Sequence, residues 1–99
     1  MHHKKYYVYI MTNKNKSVLY VGITSNLCKR INEHKTGLYR ESFTKKYNLL
    51  HLLYFEEYDN PNAAIAREKQ LKQWNRQWKE RLITKTNRDW TDLTARFEQ

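Results

Sequence analysis

The sequence predicts one mixed α/β (α+β) domain with the element order β-β-α-β-α-α. Three observations carry that prediction. The chain opens with an aromatic, β-branched hairpin pattern over residues 6–23. Asn60-Pro61 is a strong helix start, a capping side chain followed by proline at the first helical position. The length, 99 residues, fits a single domain of the usual ~100–200. With a hairpin first, the sheet is antiparallel or mixed.

The elements follow in order. Tyr6 to Met11 alternates, with Tyr7, Tyr9 and Met11 on one face and Tyr6, Val8 and Ile10 on the other. Residues 13–17 are polar turn material, and Val18 to Ile23 reads as the second strand. Gly22, near a strand end, implies close approach of another group to the backbone. Thr24 or Ser25 is expected to cap the first helix and Gly37 to stop it. Within it, Leu27, Arg30, Ile31 and His34 share one face. Residues 38–47 show no clean period and are expected to form a loop with one helical turn. Leu49 to Tyr58 is strand-like, although its leucines also suit a helix. The helix from Pro61 to about Trp74 is expected to place Ala64, Ile65, Glu68 and Leu71 on one face. Asn75 interrupts it and caps a further helix carrying Trp78, Leu82 and Ile83. Trp90, Leu93 and Phe97 imply that part of the tail packs.

Composition excludes several classes. A chain with 14% aromatics, 2 Gly and 1 Pro is a folded globule and not a disordered one. No run approaches the ~18 apolar residues of a membrane span, and no signal peptide or lipidation signal is legible. Membrane association is therefore not expected. A single cysteine, Cys28, supports neither an internal disulfide nor a metal motif, and fits a reducing cytoplasm. The net charge of +9, from 19 Lys+Arg against 10 Asp+Glu, is an electrostatic footprint for nucleic acid as well as a source of solubility.

Two residues break the rule that an inward helical face is apolar. Arg30 shares its face with Leu27 and Ile31, and Glu68 shares its face with Ala64, Ile65 and Leu71. A charge at the edge of a core is costly unless paired or useful. Either each snorkels or the two form a salt bridge, or an anion-binding Arg and a metal-binding Glu face one cleft. A lone Glu suits a hard cation such as Mg²⁺, which keeps most of its waters. His34, one turn after Arg30, can reach the same site.

These residues combine into a known pattern. Tyr7-Val8-Tyr9, then ten residues, then Tyr20-Val21-Gly22, resembles the GIY-YIG nuclease signature, with Tyr7 in place of the first Gly and Val in place of each Ile. Arg30 lies ten residues past Tyr20, where that family places its catalytic Arg, and His34 lies where members carry His or Tyr. Glu68 looks like the family's metal-binding Glu. Asn75 and Asn87 are the candidates for its late Asn. The resemblance is to the small stand-alone UPF0213-like bacterial branch, and it covers about residues 6–83 of a single 1–99 domain, leaving 84–99 as a C-terminal extension.

The resemblance implies a small antiparallel three-stranded sheet flanked by helices, and metal-dependent hydrolysis of DNA phosphodiesters. It implies one Mg²⁺ or Mn²⁺ ion at Glu68, phosphate held by Arg30, and Tyr9 as general base. His34 is able to share that role. Tyr20 would bind the phosphate or position the water. Lys29, Lys35, Arg40, Lys45 and Lys46 are expected to track the nucleic-acid backbone. Arg67, Lys69, Lys72, Arg76, Lys79 and Arg81 read mostly as solvated faces. Tyr39, Phe43 and Tyr47 either stack on unpaired bases or cap the small core. The expected partner is DNA, single-stranded or branched; no protein partner is indicated. The alternatives are a non-catalytic nucleic-acid-binding module on the same scaffold, and an adaptor whose Trp74, Trp78 and Trp90 form an open patch.

Overall fold

A computed structural model of the chain describes residues 4–36 and 47–97. Three strands, β1 (Tyr6–Thr12), β2 (Leu19–Thr24) and β3 (His51–Tyr58), form an antiparallel sheet in the order β2-β1-β3. Three helices flank it: α1 (Leu27–Thr36), α2 (Pro61–Gln73) and α3 (Arg76–Thr86). A 3-10 turn, Thr94–Phe97, follows. The expected element order and sheet type hold.

β1 is the middle strand, and its residues Val8 to Met11 are fully buried. That burial explains why the strand is apolar or aromatic on both faces. Its alternation divides the core in two. Tyr9 and Met11 join Tyr20, Leu27, Ile31, Leu49 and Leu52 under α1. Val8 and Ile10 join Val21, Leu53, Tyr54, Ala64, Leu71 and Ile83 under α2 and α3. The β1–β3 register shifts between Ile10, opposite Tyr54, and Met11, opposite Leu52. The extra residue lets Leu53 and Tyr54, neighbours in sequence, enter the same core cluster, which strict alternation forbids.

Several boundaries differ from expectation for local reasons. Asn26, not Thr24 or Ser25, caps α1: its Oδ1 accepts from Lys29 N at 3.0 Å. Thr24 is still paired with Tyr7 in the sheet, and its Oγ1 accepts from Asn26 N at 3.1 Å. β3 begins at His51, so Leu49 and Leu50 precede it. On α2, Ala64 and Leu71 are buried and Arg67 and Trp74 half-buried, whereas Ile65 is 43% exposed. The inward stripe is therefore Ala64, Arg67, Leu71 and Trp74; Glu68 stands on its shoulder, and Ile65 lies outside. Asn60 caps α2 by accepting from Asn62 N at 2.7 Å, and Asn75 caps α3 by accepting from Trp78 N at 3.0 Å. Tyr47 packs against the core under α1, as the core-capping alternative expects. Gly37, Tyr39, Arg40, Phe43, Lys45 and Lys46 lie outside the described residues.

The C-terminal segment returns along the outer edge of β3. Asp92 Oδ1 accepts from Leu52 N at 3.0 Å, and Leu93 N donates to Leu52 O at 2.8 Å. An edge that would otherwise present bare backbone groups is thus covered. Among the described residues no helix is long and apolar enough to cross a membrane.

Candidate active site

The site is built around one glycine. Tyr9 on β1 pairs directly with Gly22 on β2. A Cβ at position 22 would lie 2.4 Å from Tyr9 Cζ and Oη. Only a residue without a side chain lets the phenol ring lie across β2, the close approach expected of Gly22. The ring is fully buried. Tyr20, two residues before Gly22, sends its ring to the same face, 6.3 Å from Tyr9 between centroids.

Helix α1 closes over this pair. His34 meets Tyr9 and Tyr20 edge-on, with both centroid distances 6.0 Å. Its Nε2 lies 3.3 Å from Tyr9 Oη, within a buried hydrogen bond. The phenol donates when the imidazole proton is on Nδ1. Tyr20 and His34 keep 8% and 7% of their surface, so the cluster borders solvent and is not sealed. Arg30, one turn before His34, is half-buried, its Nε 3.3 Å from Glu33 Oε1.

Of the predicted site residues, Tyr9 and Tyr20 on the sheet face under α1 meet His34 of that helix, and Arg30 stands one turn before His34. Glu68 comes from the other layer, on α2, which packs across β1 and β2. Its side chain is 17% exposed, with Lys72 Nζ 3.5 Å from Oε2. Among the described residues no three His, Cys, Asp or Glu side chains cluster as a metal cage. A lone, partly buried carboxylate fits a hard divalent cation that retains its waters, and does not fit a zinc-type site.

Lys29 and Lys35 are both exposed on α1 and line one polar groove of about 590 Å³ with Asn26, Asn32 and Phe97. Asn75 and Asn87 are both committed to backbone groups. Asn75 caps α3. Asn87 is buried, donates to Leu53 O at 3.0 Å and Thr91 O at 2.8 Å, and accepts from Thr91 N at 3.0 Å.

Two of the later-helix arginines make specific contacts: Arg67 is half-buried, and Arg76, although exposed, is hydrogen-bonded to backbone. Arg67 grips Glu56 of β3 with Nε and Nη2 at 2.9 and 3.0 Å. Tyr58 donates to the same carboxylate at 2.6 Å, and Tyr54 donates to its other oxygen. Burial pushes the Glu56 carboxyl up, but donation by Arg67, Tyr54 and Tyr58 outweighs it and holds the group below the ordinary glutamate value. Burial and the Glu56 carboxylate both push the Tyr54 phenol up. Arg76 donates to the carbonyls of Ser17 and Lys16 at 2.8 and 2.7 Å, pinning the β1–β2 loop where Lys16 takes a left-handed φ of 59°.

Known proteins are similar to this chain over most of its length. The family described as the GIY-YIG catalytic domain matches residues 5–81. A UPF0213 protein of Syntrophus aciditrophicus is 38% identical over 79 residues, covering 80% of this chain and 90% of the relative. One of Clostridium perfringens is 40% identical over 78 residues, covering 79% and 82%. The solution structure of a UPF0213 protein from Bacillus halodurans matches with a TM-score of 0.56 and 26% identity, covering 87% of this chain and 89% of that one. With its two tyrosine-bearing strands, its helical Arg and His and this match over most of its length, the chain belongs to the GIY-YIG nuclease family.

Proposed function

We propose that the protein is a divalent-metal-dependent endonuclease that hydrolyses DNA phosphodiester bonds with structure or strand selectivity, in DNA repair or processing. The observation that carries this reading is the buried contact between Tyr9 Oη and His34 Nε2 at 3.3 Å, beside Arg30 on the same helix. An isolated phenol, with a pKa of about 10, is a poor base at neutral pH. A phenol whose own proton has an imidazole to move to is a better one. In this reading Tyr9 takes a proton from the attacking water while its own passes to His34. The water oxygen bonds to phosphorus as one P–O ester bond breaks.

Arg30 holds non-bridging phosphate oxygens and the charge that grows on them. Tyr20, at the solvent border, hydrogen-bonds the phosphate or holds the water. Glu68 would hold one Mg²⁺ or Mn²⁺, which when bound supplies Lewis acidity to the phosphate and stabilises the leaving oxygen. Lys29 and Lys35 lead the DNA backbone toward α1. The net charge of +9 favours such a polyanion, and the lone Cys28 suits a cytoplasmic site of action.

The test is cleavage of labelled single-stranded, duplex, flap and branched DNA with Mg²⁺, Mn²⁺ or EDTA, with Glu68→Ala alongside. Metal-dependent cutting is expected, lost in the variant, with salt-sensitive DNA binding retained. Undiminished cutting by Glu68→Ala overturns the metal assignment. Salt-sensitive binding without cutting on any substrate favours the non-catalytic binding module.

A further inference from the structure

The layer opposite the Tyr9 cluster carries a surface that the proposed chemistry leaves unused. On α3, Trp78, Arg81, Leu82 and Lys85 follow the spacing of one helical stripe. With Trp74 they line a shallow groove of about 350 Å³. Trp78 is 50% exposed; among the described residues only Ile65 is another exposed large apolar side chain. The Trp78 ring is braced from behind by Trp74, edge-to-face at 5.8 Å, and Trp74 is itself held by the Arg67 guanidinium at 5.1 Å. A fixed indole with half its surface open is therefore presented beside two cations. Glu80, the acidic residue of α3, is engaged by Arg76 at 3.0 Å, so the charges on the stripe itself are positive.

A flat, rigid aromatic flanked by cations suits bases and phosphates together. A base in a duplex has both faces stacked on its neighbours, so only an unpaired base can use Trp78. We propose that this groove binds a single-stranded stretch of the DNA substrate, with a base stacked on Trp78 and phosphates on Arg81 and Lys85. The inference rests on the nuclease reading for the identity of the strand as substrate. It makes the two faces of the sheet two contacts, one for the scissile phosphate and one for an unpaired arm.

The test is fluorescence anisotropy of a labelled oligothymidylate of about 20 nucleotides with the full chain in EDTA. A duplex of equal length runs in parallel. Trp78→Ala is expected to weaken single-strand binding about tenfold and duplex binding less than about twofold. Trp78→Phe, which keeps a stacking face, is expected to retain most of the affinity, and thermal melts of both variants report the fold. Arg81→Ala combined with Lys85→Ala is expected to lower the salt dependence of single-strand binding. Single-strand binding by Trp78→Ala equal to the parent overturns the proposal, as does equal loss on both nucleic acids. A self-association that needs Trp78, with oligonucleotide binding unchanged, assigns the groove to a protein contact and also overturns it. If no substrate is ever cut but the Trp78-dependent preference holds, the nuclease reading fails and the binding proposal stands.

Discussion

The two faces of the sheet handle buried polar groups in opposite ways. Under α2, Glu56 and Arg67 close on each other as a fixed charge pair, with Tyr54 and Tyr58 completing the carboxylate's partners. Under α1, the polar groups are rings: Tyr9 and Tyr20 lie tilted to each other, each meets His34 edge-on, and Tyr9 hydrogen-bonds His34. The first arrangement is chemically inert and mechanically useful, since it ties β3 to α2. In the proposed reaction the second arrangement moves a proton between the Tyr9 phenol and the His34 imidazole. The sheet thus puts the fixed charge pair and the ring cluster on opposite sides of β1, with Glu68 on α2 on the side of the charge pair.

The sharpest way to break this comparison is Tyr9→Phe. Cleavage is expected to fall about 10²–10⁴-fold, the range for loss of a general base. Stability is expected to change by only about 1 kcal/mol, the worth of one hydrogen bond. A variant that unfolds instead would make Tyr9 an anchor like Glu56. Glu56→Ala should do the reverse. Leaving Arg67 without its carboxylate is expected to cost about 2–3 kcal/mol in chemical denaturation, below the 3–5 of a fully buried pair because both groups keep some solvent. At a temperature where the variant stays folded, its cutting rate should stay near that of the parent.

Gly22→Ala probes the seam between the two roles. Its Cβ would sit 2.4 Å from the Tyr9 ring, so the phenol must move. A loss of about 1–2 kcal/mol in thermal melts is expected, as for overpacked cores. A fall in cleavage of about tenfold or more should accompany it, and unchanged kinetics would show that the position of Tyr9 is not critical. The smallest effect is on pH. Asp92 is pushed up by burial but held lower on balance by His51 and by Thr94 and Leu52, and Glu56 is likewise depressed. Depressed carboxylates contribute stability above their unfolded pKa values and lose it as pH falls through the folded ones. Melting temperatures should therefore drop below about pH 4 in the parent, and less so in Glu56→Gln.

Much of this was legible in the sequence, because it depends on local rules. The alternation of β1, the Asn60-Pro61 start and the Asn75 cap are all set by neighbours in the chain. The Tyr9, Tyr20, Arg30 and His34 set came from motif spacing, and the sheet brings the tyrosines and His34 into contact. Arg67 was not legible as an anchor, because its partner is on another element and only the packing of α2 on β3 brings them together. The inward stripe of α2 departs from the sequence pattern for the same reason: Arg67 takes the place expected of Ile65. The Leu53 shift and the role of Asn87 likewise depend on contacts made across the fold.

The strap that Asp92 and Leu93 lay along Leu52 has a consequence in time as well as in space. Asp92 comes 40 residues after Leu52 in the chain and Leu93 follows it, so both leave the ribosome after β3. During synthesis, β3 can pair with β1 while its other side still shows open backbone groups, the kind of edge that recruits neighbouring chains. The strap thus closes later than the strand it covers, and the nascent protein is most exposed to mispairing in the interval between the two.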